Sequence, residues 1–316
     1  MFRRCPSPMR YRLRSLAGSP SSWCVLALAT LLAIPRLGMA AYGAPAHARS
    51  SAPIVVVAAE NQYGSLVQAI GGNRVVVTSL LNNPNTDPHE FEASPATART
   101  LSTARFVIKN GIGYDSWIDK LLAASPRSGR VVLSVGEYLG HRTGDNPHVW
   151  YAPSGWPREA SAIAADLGKL DPAHKAFFRQ RASAWLRSMQ PVYRAITATR
   201  KLTRGRTVIA TEPVYGYMIA ALGATSLDSA FQKAVMDGTD PSPQSVAQFE
   251  TALSRHTARM LFYNSQVVDP TTGRMRSLAG QDHVPVVGVT ETQPSKLSFA
   301  QWQLSQLQSI RQRWKG

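Results

Sequence analysis

Cysteine is nearly absent from this sequence of 316 residues: Cys5 and Cys24 are the only two, and both stand close to the N-terminus. Removal of that segment would leave a chain without a thiol, which excludes disulfide bonds and cysteine-based zinc or redox sites. Cys24 also stands at the start of the apolar run of the segment instead of after it. We therefore expect no lipid-modified N-terminus.

Acidic residues and long apolar runs are also missing from the N-terminal segment. The first acidic residue is Glu60, and five arginines form a basic leader: Arg3, Arg4, Arg10, Arg12 and Arg14. The uncharged run that follows, Trp23 to Ile34, has 12 residues, whereas about 20 are needed to cross a bilayer. We predict a signal peptide over residues 1–40, cleaved there or as late as 48, and a soluble periplasmic protein. A membrane anchor is the less favoured alternative.

Positive charge is in excess, at a formal net charge of +16 from 35 basic and 19 acidic residues. Six of the basic residues belong to the predicted leader, which leaves about +10 on the mature chain. The others are spread along the sequence without a basic helix or an aromatic RNA-binding strand, so we expect no nucleic-acid partner. We expect a solvated basic surface on a monomer, with no transmembrane segment in the mature chain.

Apolar, β-branched runs alternate with helical patterns along the mature chain. Seven such runs predict strands: Ile54–Val57, Val75–Val77, Phe106–Ile108, Val131–Leu133, Thr207–Ala210, Met260–Tyr263 and Val284–Val289. Most are apolar throughout, as parallel strands covered on both faces are. We predict an α/β fold with an N-terminal lobe (41–160) and a C-terminal lobe (205–316). Each lobe would contain a mostly parallel four-stranded sheet flanked by helices.

A helical pattern between the two groups of strands predicts one long rigid helix that bridges the lobes, over 161–204. Its main part, residues 171–202, begins with Asp171 and Pro172, which suit the N-cap and the first helical position. At about 1.5 Å per residue this part would be roughly 48 Å long, with a kink at Pro191. The helix would join the lobes as a rigid rod.

Two histidines directly follow prolines, in the segments PNTDPHEFE (84–92) and DNPHVWY (145–151). His89 comes after the second predicted strand and His148 after the fourth. Loops beyond the C-terminal ends of parallel strands form the ligand crevice of α/β proteins. Proline fixes its own φ and has no N–H, so each segment can hold an imidazole on a loop. The pair indicates a metal or acid–base site; the alternative is two ordinary exposed histidines.

Two glutamates take corresponding places in the second half of the chain. Glu212 follows the strand Thr207–Ala210, and Glu291 follows Val284–Val289. Two imidazoles and two carboxylates suit a divalent transition metal, with Mn²⁺, Fe²⁺ and Zn²⁺ all permitted. The alternative is that both glutamates cap the helices that follow them.

These segments together resemble the metal-binding substrate-binding proteins of ABC importers for manganese, zinc and iron (cluster A-I). The shared motifs cover most of the mature chain: AAENQYGSLVQAIGG (58–72), NTDPHEFEAS, NGIGYDSW, NPHVWY, ATEPVYGYM and PVVGVTET (285–292). The resemblance implies four metal ligands: His89, His148, Glu212 and Glu291. Glu291 departs from the aspartate that is usual in the family. The resemblance also implies two α/β lobes joined by a long helix, and delivery of the ion to an ABC transporter membrane permease.

The metal is open between manganese and zinc. Zinc-dedicated relatives often carry a His-rich loop between the two histidine ligands, whereas residues 135–147 hold only His141. Glutamate at 212, where the family has either Glu or His, shifts the donors toward oxygen. Oxygen donors suit Mn²⁺ better than Zn²⁺, so we favour Mn²⁺ as the cargo.

A periplasmic metal-dependent hydrolase is the alternative from another functional class. Glu90 or Glu92 would then be a general base beside a metal ion with an open position. The sequence has no H-E-x-x-H motif, and four protein ligands would close the site to a substrate. We therefore expect a transport protein and not an enzyme.

Export can be tested directly. Protein from the envelope fraction should begin near Ala41 or Arg49 and contain no cysteine, because the leader carries both thiols. N-terminal sequencing and thiol titration measure these two properties. A chain that still began at Met1 would contradict the predicted signal peptide.

Overall fold

Two separate parallel sheets organise the structure, a computed structural model that describes residues 52–83, 91–267 and 269–314. The first sheet contains β1 (Ile54–Glu60), β2 (Val75–Leu81), β3 (Phe106–Lys109) and β4 (Val131–Ser134), in the order β2-β1-β3-β4. The second contains β5 (Thr207–Ala210), β6 (Thr225–Leu227), β7 (Leu261–Asn264) and β8 (Val286–Val289), in the order β6-β5-β7-β8. The predicted signal peptide and His89 lie outside the described residues.

Helices connect these strands and cover both faces of each sheet. In the first half they are α1 (Asn61–Gly71), α2 (Pro95–Thr103), α3 (Ser116–Ala124), α4 (Val135–Leu139), α5 (Trp156–Leu170) and α6 (Lys175–Ser188). In the second half they are α7 (Gln190–Thr203), α8 (Gly216–Ala221), α9 (Ser229–Met236), α10 (Pro243–Ser254), α11 (Pro270–Gln281) and α12 (Phe299–Arg313). Within the described ranges, no helix combines the length and apolar character that crossing a membrane requires.

The predicted α/β class and the two parallel four-stranded sheets are confirmed. Each of the seven predicted strand runs coincides with or overlaps a strand. The eighth strand, β6, was not predicted because it has only three residues, Thr-Ser-Leu, at the edge of its sheet. Such a short, partly polar segment shows no apolar run.

The two sheets place corresponding residues at corresponding points. Ala58 of β1 pairs with Ile108 of β3, and Ala210 of β5 pairs with Phe262 of β7. Glu60 and Glu212 each stand two residues after these alanines, so they correspond to each other. Asn110 and Asn264 correspond in the same way, two residues after Ile108 and Phe262. All four residues stand at the C-terminal edge of a sheet, where α/β proteins bind ligands.

The linking segment differs from the single helix predicted over 161–204. It contains the end of α5, a 3-10 turn at Pro172–His174, and the two helices α6 and α7. The division falls at Met189, two residues before Pro191, which has no N–H to bond to the preceding turn. α6 packs against α1 and α5 of the first lobe, whereas α7 packs against α12. Each half of the link is thus fixed to a different part of the molecule.

Direct hydrogen bonds also join the lobes. The side chain of Asn61 donates to the carbonyl of Gln293 at 2.7 Å, and the N–H of Gln293 donates back to Asn61 Oδ1 at 2.9 Å. The hydroxyl of Tyr151 donates to the carbonyl of Thr290 at 2.6 Å. One apolar core cluster, which includes Trp156 and Phe299, continues across both lobes. The described chain from residue 52 onward therefore packs as one body.

Glu159, in the first turn of α5, is a buried carboxyl group that lies apart from the candidate ligands. It is 2% exposed. Burial raises the pKa of Glu159 to about 8, so the folded protein holds this side chain neutral at physiological pH. The unfolded chain releases the same proton at much lower pH.

Replacing Glu159 with glutamine should make stability less dependent on pH. From about pH 4.5 to about pH 8 the unfolded wild-type chain has lost this proton while the folded protein keeps it. Wild-type stability therefore falls as pH rises through this window, at up to about 1.4 kcal/mol per pH unit. Denaturant unfolding measures the free energy of unfolding. That of Glu159→Gln should be similar to wild type near the low-pH end of this window and higher by a few kcal/mol near the high-pH end.

The matched control is Asp240→Asn, at an exposed position, which should leave the pH dependence unchanged. Parallel pH profiles for wild type and Glu159→Gln would contradict the neutral buried carboxyl.

Candidate metal site

His148 and Glu291, which belong to different lobes, meet inside the protein. The distance from His148 Nε2 to Glu291 Oε2 is 3.2 Å, and both side chains are fully buried, with 0% exposure. His148 stands in the loop that follows α4, and Glu291 comes two residues after β8. Two residues predicted as ligands from widely separated sequence are thus in direct contact.

Asn146 determines which ring nitrogen of His148 faces Glu291. Its Oδ1 accepts from the backbone N–H of His148 at 3.1 Å and contacts His148 Nδ1 at 2.7 Å. Its Nδ2 donates to the carbonyl of Pro213 at 2.7 Å. Because a backbone N–H can only donate, the oxygen assignment of Asn146 is fixed, and His148 Nδ1 must carry a hydrogen. Nε2 is then the nitrogen available to a metal.

Asn264 holds the two glutamates next to each other. Its Nδ2 donates to Glu212 Oε1 at 3.1 Å and to Glu291 Oε1 at 2.8 Å. The backbone N–H of Gln266 donates to Asn264 Oδ1 at 3.1 Å, which fixes the orientation of the amide. Glu212 is 2% exposed and Glu291 is 0% exposed. Neighbouring buried carboxylates repel each other, so one amide group that donates to both reduces this cost.

Glu291 is positioned by two further contacts. Tyr114 of the first lobe donates its hydroxyl to Glu291 Oε2 at 2.8 Å, and Gln266 Oε1 accepts from the backbone N–H of Glu291 at 2.5 Å. Burial, followed by the charges of Glu291 and Glu60, raises the pKa of Tyr114 well above its usual value. The phenol therefore remains a hydrogen-bond donor across the physiological range. The Tyr114 ring also packs edge-on against His148, at 5.9 Å between centroids.

Neither glutamate caps a helix, which contradicts the alternative raised from the sequence. Glu212 does precede a 3-10 turn, Pro213–Tyr215, but its side chain makes no capping hydrogen bond. The helix after Glu291 is α12, and its cap is Ser298, whose hydroxyl accepts from the N–H of Gln301. Both carboxylates point instead toward Asn264.

Glu60 and Asp115 form a second pair of buried carboxyls, in the first lobe. Each is 0% exposed. Burial, followed by the nearby Asp115 charge, raises the pKa of Glu60 well above its usual value. Asp115 accepts from the backbone N–H groups of Asn110 and Gly111 at 2.7 and 2.9 Å, which favour its charged form. Burial raises the pKa of Asp115 as well, whereas these two N–H donors lower it. The donors therefore favour placing a proton of the pair on Glu60.

The structure describes three of the four predicted ligands and brings those three together. His148 and Glu291 are in contact, and Glu212 joins them through Asn264. Across the described ranges, no group of three or more His, Cys, Asp or Glu side chains is arranged to hold an ion. His89 falls in the segment 84–90, outside those ranges. The four-ligand set remains a prediction.

Sequence reasoning did not identify Asn146, Tyr114 or Asn264 as residues of the site. One signal pointed toward Asn264: STARFVIKNG (102–111) and HTARMLFYNS (256–265) share an asparagine in register. The same alignment places Asn110 at the corresponding end of β3, where its amide holds the Pro147 carbonyl at 2.9 Å. In both lobes, an asparagine at the end of this strand therefore hydrogen-bonds to groups of the neighbouring loops.

An acidic cavity of about 520 Å³ reaches Glu212 from the second lobe. Its other acidic lining residues are Asp237, Asp240 and Asp269. Asp269 caps α11 by accepting from the N–H groups of Thr271 and Thr272. Near Glu212, the cavity concentrates negative charge on a protein that is positive overall.

Comparison with known proteins gives a consistent family match. The family described as "Zinc-uptake complex component A periplasmic" (ZnuA) matches residues 56–313. The metal ABC transporter substrate-binding lipoprotein SloC of Streptococcus mutans is 21% identical over 276 residues, 83% of this chain and 87% of that protein.

Two solved structures are similar in fold. One is a Mn-bound periplasmic metal binding protein from Candidatus Liberibacter asiaticus, with a TM-score of 0.67 and 18% identity. The match covers 82% of this chain and 99% of that chain. The other is the periplasmic zinc binding protein TroA from Treponema pallidum, with a TM-score of 0.71, 17% identity, and coverage of 84% and 100%. At this level of identity the likeness establishes the two-lobed fold alone.

Asn146 should control the tautomer of His148. Asn146→Asp keeps an oxygen acceptor for Nδ1, whereas Asn146→Ala removes it. Nitrogen NMR of the protein without added metal should find the hydrogen on Nδ1 in wild type and Asn146→Asp, and no such preference in Asn146→Ala. Metal affinity should fall about 10- to 100-fold in Asn146→Ala, as for other residues that orient a ligand.

Tyr217→Phe is the matched control, because Tyr217 donates to the backbone carbonyl of Asn146 at 2.8 Å and does not touch Nδ1. It should leave the tautomer unchanged. A wild-type tautomer in Asn146→Ala would show that Asn146 does not set it.

Proposed function

This chain belongs to the zinc-uptake complex component A family, and we propose that it captures a divalent transition metal between its lobes and delivers it to an ABC transporter permease. Members of this family are substrate-binding transport proteins and not enzymes. The hydrolase alternative therefore has no support. Glu92, the candidate base that lies within the described residues, is exposed.

The contact between His148 and Glu291 carries this proposal. Two donors bound to one ion at about 2.0–2.2 Å lie roughly 3 to 3.5 Å apart, and Nε2 and Oε2 are separated by 3.2 Å. The two atoms come from different lobes and are fully buried, so an ion bound there would be enclosed by protein. We propose Glu212 and His89 as the remaining ligands.

The surrounding residues would prepare this set for a cation. Asn146 keeps the proton on Nδ1 of His148, so that Nε2 can bind the ion. Asn264 and Tyr114 hold the carboxylates through neutral donors, which leave their negative charge available to the ion. Two carboxylates neutralise a divalent cation, and this lowers the cost of placing it at a buried boundary.

We propose Mn²⁺ as the cargo, with Zn²⁺ second and Fe²⁺ also permitted. Glu212 and Glu291 supply two oxygen ligands, and oxygen donors favour Mn²⁺ more than sulfur or additional imidazole donors do. Binding strength alone will not identify the cargo, because most sites bind Zn²⁺ more tightly than Mn²⁺. Metal analysis of protein purified without chelators is the appropriate measurement.

We further propose that the protein acts in the periplasm as a monomer, after removal of residues 1–40. The relative SloC is named as a substrate-binding lipoprotein of a metal ABC transporter, which supports a permease partner for this chain. Both cysteines precede the proposed mature protein, so attachment through a lipidated cysteine is not part of the proposal.

Metal binding should stabilise the folded protein, because the proposed ligands come from both lobes. At a free-metal concentration 100 times the dissociation constant, the gain is about 2.7 kcal/mol. Calorimetry should find a higher melting temperature with Mn²⁺ or Zn²⁺, and little change with Mg²⁺ or Ca²⁺, which prefer all-oxygen ligands. His89→Ala, His148→Ala and Glu212→Gln should each lose most of this rise.

The control is His256→Asn, at an exposed histidine with φ of 52°. Asparagine tolerates this backbone conformation, so the metal-dependent rise should remain at the wild-type value. A full rise in His148→Ala would exclude His148 as a ligand and with it the proposed site.

A further inference from the structure

The two helices of the link contain no acidic residue. Residues 172–211 include nine lysines and arginines and no Asp or Glu, and residues 292–316 include four and none. Six such cations of α6 and α7 are exposed: Lys175, Arg179, Arg187, Arg194, Arg200 and Lys201. The excess positive charge of the chain is therefore concentrated in particular segments, contrary to the even spread expected from the sequence.

Packing brings the two acid-free segments together. α7 buries Val192, Ile196 and Thr199 and lies against α12. The exposed basic residues of α12, Arg311 and Arg313, therefore add to those of α6 and α7. Within the described ranges, none of these eight cations forms an ion pair with a carboxylate. We call these exposed cations of α6, α7 and α12 the basic face.

A groove lined by both apolar and polar side chains lies between α7 and α12 at this face. Its volume is about 580 Å³, and its lining residues are Ala195, Leu202, Leu304, Gln308, Arg311 and Gln312. Leu202 is 42% exposed, and it is one of four large apolar side chains in the described ranges that are exposed to this degree. Arg194 and Lys201 directly precede Ala195 and Leu202. Since they are seven residues apart, both lie on one side of α7, beside the groove.

We propose that the basic face docks on an anionic phospholipid membrane. A membrane presents a broad surface of one charge, which matches cations spread over three helices with no acidic residue among them. Each Lys or Arg near such a surface strengthens binding by about fivefold. Leu202 supplies an apolar contact at the depth of the lipid headgroups, where exposed apolar side chains of peripheral proteins insert. None of these residues belongs to the proposed metal site.

The test compares two triple variants of the exported protein on vesicles. The first, Arg194→Gln with Lys201→Gln and Arg311→Gln, neutralises the sides of the groove. The control, Arg99→Gln with Lys120→Gln and Arg255→Gln, removes the same charge at exposed positions in or next to other helices. All proteins share one N-terminus, so any effect of that segment cancels. Sedimentation with vesicles of equal parts phosphatidylglycerol and phosphatidylcholine measures the partition constant.

We expect the first triple variant to bind roughly a hundredfold more weakly than wild type, and the control to change only a few-fold. Wild-type binding should disappear on vesicles of phosphatidylcholine alone and weaken strongly with added salt. Leu202→Ser should lower the partition constant by about fivefold, because it removes apolar area that the wild-type leucine would bury among the lipid headgroups. Unchanged melting temperatures will show that the variants fold.

Three results would overturn the proposal. One is the absence of wild-type binding to the anionic vesicles. Binding of the basic face to an acidic protein in place of the vesicles would count as this result. Another is an equal loss in both triple variants, which would reflect net charge and not this face. The third is binding that does not respond to salt. An unchanged partition constant for Leu202→Ser would exclude the groove from the docking surface.

Discussion

The folded protein must keep two carboxylates, Glu212 and Glu291, close together and out of water. Asn264 meets this constraint, because its single amide nitrogen donates to both at 3.1 and 2.8 Å. The amide can do so only while Gln266 holds its oxygen, and Gln266 also binds the backbone of Glu291. The ends of β5, β7 and β8 are thereby fixed relative to one another. The position of Glu291 in turn determines where Tyr114 and His148 of the first lobe make contact.

The two lobes share the same arrangement of strands, but the side chains at corresponding positions differ in their surroundings. Glu60 and Glu212 occupy corresponding positions beyond β1 and β5, and an asparagine ends or follows the neighbouring strand in both. In the first lobe the pKa of Glu60 is raised by burial and by Asp115, so this carboxyl is suited to staying neutral. In the second lobe Glu212 receives an amide hydrogen from Asn264 and borders an acidic cavity. Equivalent positions in the fold therefore need not have equivalent functions.

The sequence was sufficient for the α/β class and most strands, because buried parallel strands are apolar throughout. It was insufficient for β6, whose three residues carry no such pattern. For the link it predicted only a kink at Pro191, whereas the structure ends α6 and begins α7 at Met189. At the candidate site, the loops of His148 and Glu291 were predictable from their prolines and strand ends. The contact between them was not, since it depends on how the lobes pack. Asn146 and Asn264 were missed for the same reason: an asparagine has a positioning role only through the partners that the fold supplies.

Direct hydrogen bonds between the lobes affect how fast an enclosed ligand can be released. These bonds join Asn61 to Gln293, Tyr151 to Thr290, and Asn146 to Pro213. They join protein groups directly, so breaking several of them together would open the boundary around an enclosed ligand. Its residence time then follows the frequency of this opening and is separate from the strength of the ligand bonds themselves. A protein built in this way can exchange its contents slowly even when it binds them weakly. A partner that loosens the boundary hydrogen bonds would accelerate release without touching any ligand.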